Sequence, residues 1–475
     1  MCWLLFVGKV LGADLSLEAA LNAALSANPE INRAELDLER ARFSLVAARG
    51  GWDPTLSLGS ESTTSLARSN DADEVEDLES HTLGWSAGLS QALPTGGSLG
   101  LVWSESSVES NSQEQVLSAY TSAGAWLSVT QPVLAGAGPG AAAYSLRTAV
   151  LSLQSQEIGW RASLEQLVLD VSQAYWGLVA AGEYHRLAGR SLEIAEQQFV
   201  ETLERQAEGF AGAGDVLQVE RAVGVARQDL VVAEANEADG EAVLARLMGI
   251  PPTGRENLVP IDRPRIPTAD PELARSLEYA SSGNAAWLLA QLSHEQSRLD
   301  LRASRSAALP NLDVTGTLGL TGGPADTDDA RVEVFEAQYP SWGVGAGLTM
   351  PLLGRGLRGH WQQASLAYEQ AQLDRQAAEW DLAVAVEVAV RGVARDRSRL
   401  LLAEQTLRAA QLALEADREL LAEGKGSTRD IIRSLEALSE AQVGRLAAEI
   451  DLQSSMMGLL KLEGTLLESV GLRVE

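Results

Sequence analysis

Cysteine is almost missing from this sequence of 475 residues. The single Cys2 excludes an intramolecular disulfide and any thiolate cluster. Histidine is nearly as scarce: His81, His185, His294 and His360 lie far apart with no HxxxH spacing, so no zinc enzyme, metal site or cofactor is expected. Positive charge is also short, with 37 Lys and Arg against 65 Asp and Glu and a net charge of -28, so repulsion argues against a nucleic-acid partner. An apolar helix long enough to cross a bilayer is absent as well. The longest uncharged stretch, residues 116–146, is punctuated by Pro132, Pro139 and several glycines.

What that stretch contains is alternation. Ala123, Ala125, Leu127 and Val129 alternate with Gly124, Trp126, Ser128 and Thr130, and Trp342, Val344, Ala346, Leu348 and Met350 alternate with Gly343, Gly345, Gly347 and Thr349. The same period of two recurs at Leu56 and Leu58, at Leu83, Trp85, Ala87 and Leu89, at Leu99, Leu101 and Trp103, and at Leu312, Val314, Leu318 and Leu320. Most of these segments can supply the ~9–11 residues with which a tilted strand crosses a bilayer. Acidic connections at 70–80, 105–115 and 322–338 read as long loops, and Pro94-Thr95-Gly96-Gly97 reads as one tight turn. Long loops on one side and tight turns on the other are the habit of outer-membrane barrels, although a soluble antiparallel sheet shares the alternation.

The rest of the chain reads as helix. From 140 to about 208, and again from 357 to about 423, proline is absent and apolar residues recur at spacings of three and four, as at Leu164, Leu167, Val171, Ala174 and Leu178. Each run would span ~100 Å at 1.5 Å per residue, which calls for coiled-coil packing rather than one globular core. Each is followed by a second helix, from 215 to 248 and from about 430 to 460. Gly209 and Gly424, like Asp215 and Asp430, are 215 residues apart, while Asn28, Arg49 and Pro54 return as Asn284, Arg305 and Pro310 at an offset of 256. Pro132 and Pro351 are offset by 219, so the first half carries an additional hairpin around Pro94 to Gly97. The sequence is therefore a duplication: repeat 1 at 14–252 with four strands, a linker at 253–269, and repeat 2 at 270–475 with two. Residues 1–13 read as a clipped secretory signal, or merely as an apolar N-terminus. Six strands cannot enclose a pore alone, so copies of the chain must pool them.

In this order, the strings LEAALNAALSANPEI (17–31), SVTQPVLAGAG (128–138), DVSQAYWGLVAA (170–181), GDVLQVERAV (214–223), LMGIPP (247–252) and GKGSTRDIIRSLEAL (424–438) resemble the TolC family of outer-membrane efflux channels. The resemblance implies a mainly α protein with membrane β: a homotrimer whose outer-membrane β-barrel continues into a long periplasmic α-helical barrel. It implies an exit duct for small molecules or proteins, working with a periplasmic adaptor (membrane fusion) protein and an inner-membrane pump and bathed in outer-membrane lipid. It also implies a 12-stranded shared barrel, whereas six strands per chain give 18. By the same resemblance the helix-turn-helix tips, Gly209-Phe210-Ala211 and Gly424-Lys425-Gly426, meet the adaptor. Asp430 matches the first acidic position of the family's periplasmic gate; Arg433 stands at the next, and Asp215 and Gln218 are their counterparts in the first repeat. Pro54, Pro132, Pro310 and Pro351 mark the transition from barrel to tunnel. The plain structural roles of the tip glycines and of Asp215 are helix C-caps and an N-cap.

Two motifs mislead. Gly354-Arg355-Gly356-Leu357-Arg358-Gly359 fits a dinucleotide fingerprint, but a ~65-residue helix follows it instead of an ordinary crossover. Gly424-Lys425-Gly426-Ser427 lacks the upstream glycine of a phosphate loop. With no arrangement for nucleophilic catalysis either, no enzymatic activity is expected. Two rival readings remain, a coiled-coil envelope scaffold and a passive porin.

Overall fold

The computed structural model describes residues 14–70, 75–111, 117–252, 258–263, 270–423 and 425–472. Residues 1–13 and most of the 253–269 linker lie outside them. In chain order the elements are β1 (Asp14–Leu15), α1 (Leu17–Ala27), α2 (Pro29–Gly50), β2 (Thr55–Asn70), β3 (Val75–Ala92), β4 (Ser98–Ser110), β5 (Ala119–Pro132), α3 (Pro139–Ala142), α4 (Tyr144–Ala207) and α5 (Ala213–Leu247). Then follow β6 (Val259–Pro260), α6 (Leu273–Gly283), α7 (Ala285–Ala307), β7 (Asn311–Ala325), α8 (Thr327–Phe335), β8 (Tyr339–Thr349), α9 (Arg355–Ala422), α10 (Thr428–Glu463) and α11 (Leu466–Ser469). No helix among the described residues is long and apolar enough to cross a membrane.

The chain divides into two compact units. One takes residues 39–155 and 291–374, the other 1–38, 156–290 and 375–475, so each draws on both repeats. The first holds an antiparallel sheet in the order β2-β3-β4-β5-β7-β8. Its register lines up Leu56, Leu89, Leu101, Leu127, Leu318 and Trp342 as one row across all six strands. The next row, on the opposite face, reads Thr55, Ser90, Gly100, Ser128, Thr317 and Gly343. Because side chains alternate along a strand, one face of the sheet is apolar and the other mostly small and polar, with large apolar residues at Val102 and Trp126. Every residue of the apolar row is exposed, up to 81% at Trp342, so along it the face lacks a protein partner among the described residues.

The connections differ from their expected form. Strands β3 and β4 extend through about half of the acidic stretches at 70–80 and 105–115, β7 reaches only the first residues of 322–338, and that third stretch contains α8. Ala330 and Val334 of α8 are buried against Ala123, with Trp103, Ala125 and Leu320 around them, and Trp103 stacks on Phe335 at 5.6 Å. Arg331 holds the buried Glu105 through two hydrogen bonds of 2.8 Å each. This pairing lets charged residues lie over an apolar face.

In the second unit the buried face of α4, with Leu164, Val168, Val171, Tyr175 and Leu178, packs with Leu15, Leu21, Leu244 and Leu466. The Tyr175 hydroxyl donates to the Leu15 carbonyl at 2.8 Å, and Asp262 accepts from the Leu17 amide at 2.6 Å, which ties the β1–β6 pair to this core. A smaller cluster in the second repeat joins Val393 and Leu400 to Ala448, Leu452 and Leu459. Leu178 and Leu244 thus have their counterparts, 215 residues on, in Val393 and Leu459.

The duplication is sharpest where short helices meet long ones. Asn28 closes α1, its amide donating to Ala24, and its Oδ1 accepts from the Glu30 amide at the start of α2. Its Nδ2 donates to the Leu247 carbonyl at the end of α5, 2.9 Å away. Asn284 does the same between α6 and α7, with Oδ1 on the Trp287 amide and Nδ2 on the Leu462 carbonyl at 3.1 Å. Beside each asparagine a glycine follows the long helix in the left-handed region, Gly249 at φ 73° and Gly464 at φ 71°. A Cβ there would meet the Ala27 carbonyl oxygen at 2.5 Å and the Gly283 carbonyl oxygen at 2.4 Å, so only glycine allows the approach.

Candidate functional site

The helical tips lie in the second unit. Helix α4 ends as the Phe210 amide donates to the Arg205 carbonyl at 2.8 Å, with Gly209 at φ 83° making the reversal. Phe210 projects 78% exposed beside half-buried Ala211. Helix α5 then opens as the Gly212 amide donates to Asp215 Oδ2 at 3.0 Å. In the other tip the Lys425 and Gly426 amides both donate to the Leu420 carbonyl, at 2.8 and 2.9 Å, and Lys425 pairs with Glu423 at 2.8 Å. Gly424 lies outside the described residues. A Cβ on Gly426 would sit 2.9 Å from the Leu421 nitrogen, so crowding excludes a side chain there.

Asp430 belongs to a capping box. Its amide donates to Ser427 Oγ at 3.3 Å, while its carboxylate accepts from the Ser427 hydroxyl at 2.6 Å and amide at 3.3 Å. The Ser427 hydroxyl, helped by the charges of Arg433 and Arg429, holds the carboxyl below the ordinary aspartate value. Asp215 has the matching place in the first repeat, so both acids cap the second helix of their hairpin. Gln218 is brought to this group through a residue the sequence did not single out: Arg429 donates to Gln218 Oε1 at 3.2 Å and so links α10 to α5. A cavity of about 650 Å³ opens between α4, α5 and α10, and its wall includes Arg190, Gln218, Arg221, Arg429 and Arg433 opposite Asp229 and Glu436. Four guanidinium groups in that wall make the neighbourhood of Asp430 mixed in charge rather than acidic.

The four prolines stand at the junctions of strand and helix. Pro54 lies between α2 and β2, Pro310 between α7 and β7, Pro132 ends β5, and Pro351 follows β8. A residue without an amide donor suits a place where a ladder stops. Among the described residues, no group of His, Cys, Asp and Glu is placed to hold a metal ion.

The chain thus combines a sheet with an exposed apolar face and duplicated helices of 64 and 68 residues, the two parts expected of an outer-membrane channel protomer. Residues 279–465 match the outer membrane efflux protein family model. Protein CyaE of Bordetella pertussis is 27% identical over 233 residues; the match covers 49% of this chain and about half, 48%, of that relative. Among solved structures, a membrane protein from Pseudomonas aeruginosa superposes with a TM-score of 0.69 at 17% identity over 94% of this chain and 90% of the other. The Campylobacter jejuni CmeC outer membrane channel gives 0.67 at 16% identity over 95% and 86%, and Vibrio cholerae VceC gives 0.68 at 15% over 94% and 96%. The family match lies in the second half of the chain, and over nearly its whole length the chain shares the fold of these solved structures. CmeC and VceC are both outer-membrane proteins.

Proposed function

We propose that this chain is the exit duct of a tripartite efflux or type I secretion system, a homotrimer passing small molecules or proteins from an inner-membrane pump and a periplasmic adaptor to the exterior. The observation that carries the reading is the pairing, in one chain, of a lipid-type sheet with two copies of a long helical hairpin. The sheet supplies a wall for the membrane, and the hairpins supply a protein-lined path away from it. A passive porin has no use for the second part, and a coiled-coil scaffold has none for the first. No step in this function requires the chain to act as an enzyme.

Within this reading the tips at 209–211 and 424–426 dock the adaptor, and Asp430, Arg433, Asp215 and Gln218 line the periplasmic entrance. The exposed Phe210 and the side-chain-free turn at Gly426 support docking by close approach. The bridge from Arg429 to Gln218 supports an entrance whose helices are tied across the two repeats. The mass of the detergent-extracted particle is the first test: three chains of 50.4 kDa give about 151 kDa. A monomer, or a protein that needs no detergent, would refute the duct. Adaptor capture that survives bulky replacement at both Gly209 and Gly424 would remove the docking claim, and unchanged conductance and ion selectivity in Asp430→Ala would remove the gate.

A further inference from the structure

The sheet has two free edges. Strand β2 pairs on one side with β3 and β8 on one side with β7, so the outer backbone of each carries no partner within the sheet. In a bilayer such edges leave amides and carbonyls without water or protein to bond, which is why membrane sheets are closed. The strand number decides how closure can occur. With six antiparallel strands the two edge strands run in opposite directions, so a rotated copy brings its β2 antiparallel to this β8, and the ladder continues without a break.

The additional hairpin is an integral part of that sheet. Matching Pro54 to Pro310 and Pro132 to Pro351 pairs β2 with β7 and β5 with β8, and leaves β3 and β4, joined through Pro94 to Gly97, as the insertion in the first repeat. Both are bonded along their length, β3 to β2 from Thr55↔Ser90 to Asn70↔Val75 and β4 to β5 from Ser98↔Thr130 to Glu109↔Ala119. They also carry the apolar face onward: Leu83, Trp85, Leu89, Leu99 and Leu101 are exposed in line with the outward residues of the other strands. On the opposite face they present Ser90 and Gly100 to the small polar row. A hairpin folded away from the wall would have no reason to keep both the register and the two-faced pattern.

We infer that three copies of this chain close an 18-stranded barrel, β8 of each protomer pairing with β2 of the next, rather than the 12-stranded barrel that two strands per repeat would give. The inference rests on the trimeric duct proposed above. Taking strands ~4.8 Å apart and tilted by ~40°, 18 strands enclose a wall about 36 Å across between backbones, and 12 strands one about 24 Å across. The exit is therefore about one and a half times as wide, within the range in which barrels hold an aqueous channel. Glycine, serine and threonine dominate the inward face, and Val102 and Trp126, in the row Ser57, Gly88, Val102, Trp126, Gly319 and Ser341, are large side chains that narrow the exit at their level.

End-on and tilted single-particle images of the wild-type particle in detergent are the direct test. Eighteen strands and a wall near 36 Å are expected; twelve strands in a particle of about 151 kDa would overturn the inference while leaving the trimeric duct intact, and a particle of another mass would refute the duct itself. The seam is tested separately in a Cys2→Ser background, combining Trp342→Cys, Val344→Cys or Ala346→Cys in β8 with Leu56→Cys, Leu58→Cys or Ser60→Cys in β2. Oxidation in outer membranes should give covalent dimers and trimers on denaturing gels for the pairs in register. Absence of linked chains from every combination, with the trimer mass retained, would refute β8-to-β2 closure.

Discussion

The junction asparagines offer the most discriminating perturbation. Asn28 is 4% exposed and serves two elements at once, capping α2 through Oδ1 and holding the end of α5 through Nδ2. Asn28→Ala removes a helix cap, costing about 1 kcal/mol, and leaves the Leu247 carbonyl without its donor, costing about 1–3 kcal/mol, so a loss of about 2–4 kcal/mol is expected. Asn28→Asp separates the two roles. Aspartate caps a helix as well as asparagine does, yet it has no donor for Leu247 and sets a carboxylate against a carbonyl oxygen in a buried place. It should therefore destabilise at least as much as alanine. The assay is a denaturant titration of the detergent-purified protein at neutral pH, followed by helical circular dichroism, with Asn284→Ala and Asn284→Asp run beside it. If Asn28→Asp matches wild type, capping alone explains the residue, and the tie between α1–α2 and α5 contributes nothing.

Three further outcomes follow from single contacts. Gly249→Ala or Gly464→Ala should destabilise by more than the ~1 kcal/mol of an ordinary glycine replacement, since a left-handed φ combines with a Cβ within 2.5 Å of a carbonyl oxygen; equal midpoints in the same titration would refute this. Glu165 is 3% exposed, and burial raises its carboxyl above the usual value against the opposing pull of Arg161. The folded state thus holds the proton more tightly than the unfolded one, and stability should fall as pH rises from about 4.5 through the folded value. Glu165→Gln should flatten that slope and raise the midpoint at pH 8, and an unaltered pH profile would contradict the assignment. Glu105→Gln should loosen α8 by breaking its bidentate bond to Arg331, about 1–2 kcal/mol given the partial exposure of Arg331, and speed amide exchange over 327–335 roughly tenfold without altering exchange in β2.

What the sequence showed and what it hid divide along the range of the interactions. Period-two alternation at Leu99, Leu101 and Trp103 is local, and the strand is there as β4; the spacing of three and four at Leu164, Leu167 and Val171 is also local, and the helix is there as α4. The start of that helix falls at Tyr144 rather than near 140 because Pro139–Ala142 form a separate turn of helix behind Gly138 at φ 86°. Helix α8 could not be read, because only Ala330 and Val334 face the sheet, and two residues make no period. Its anchor, Glu105, is 226 residues from Arg331, and nothing local marks the pair. The tip acids show the reverse case: Asp215 and Asp430 stand out in the sequence as a matched pair, an acid there suits a helix cap as well as a gate, and the hydrogen bonds to Gly212 and Ser427 show the cap. The duplication supplied one long-range signal that local patterns lack. Asn28 and Asn284 recur at 256 and the glycines Gly249 and Gly464 at 215, two offsets that have no reason to select the same contact. Yet each asparagine reaches the carbonyl two residues before its glycine, at Leu247 and Leu462. A residue kept in both halves of a duplicated chain, across segments whose spacing has changed, marks a contact that each half must make for itself.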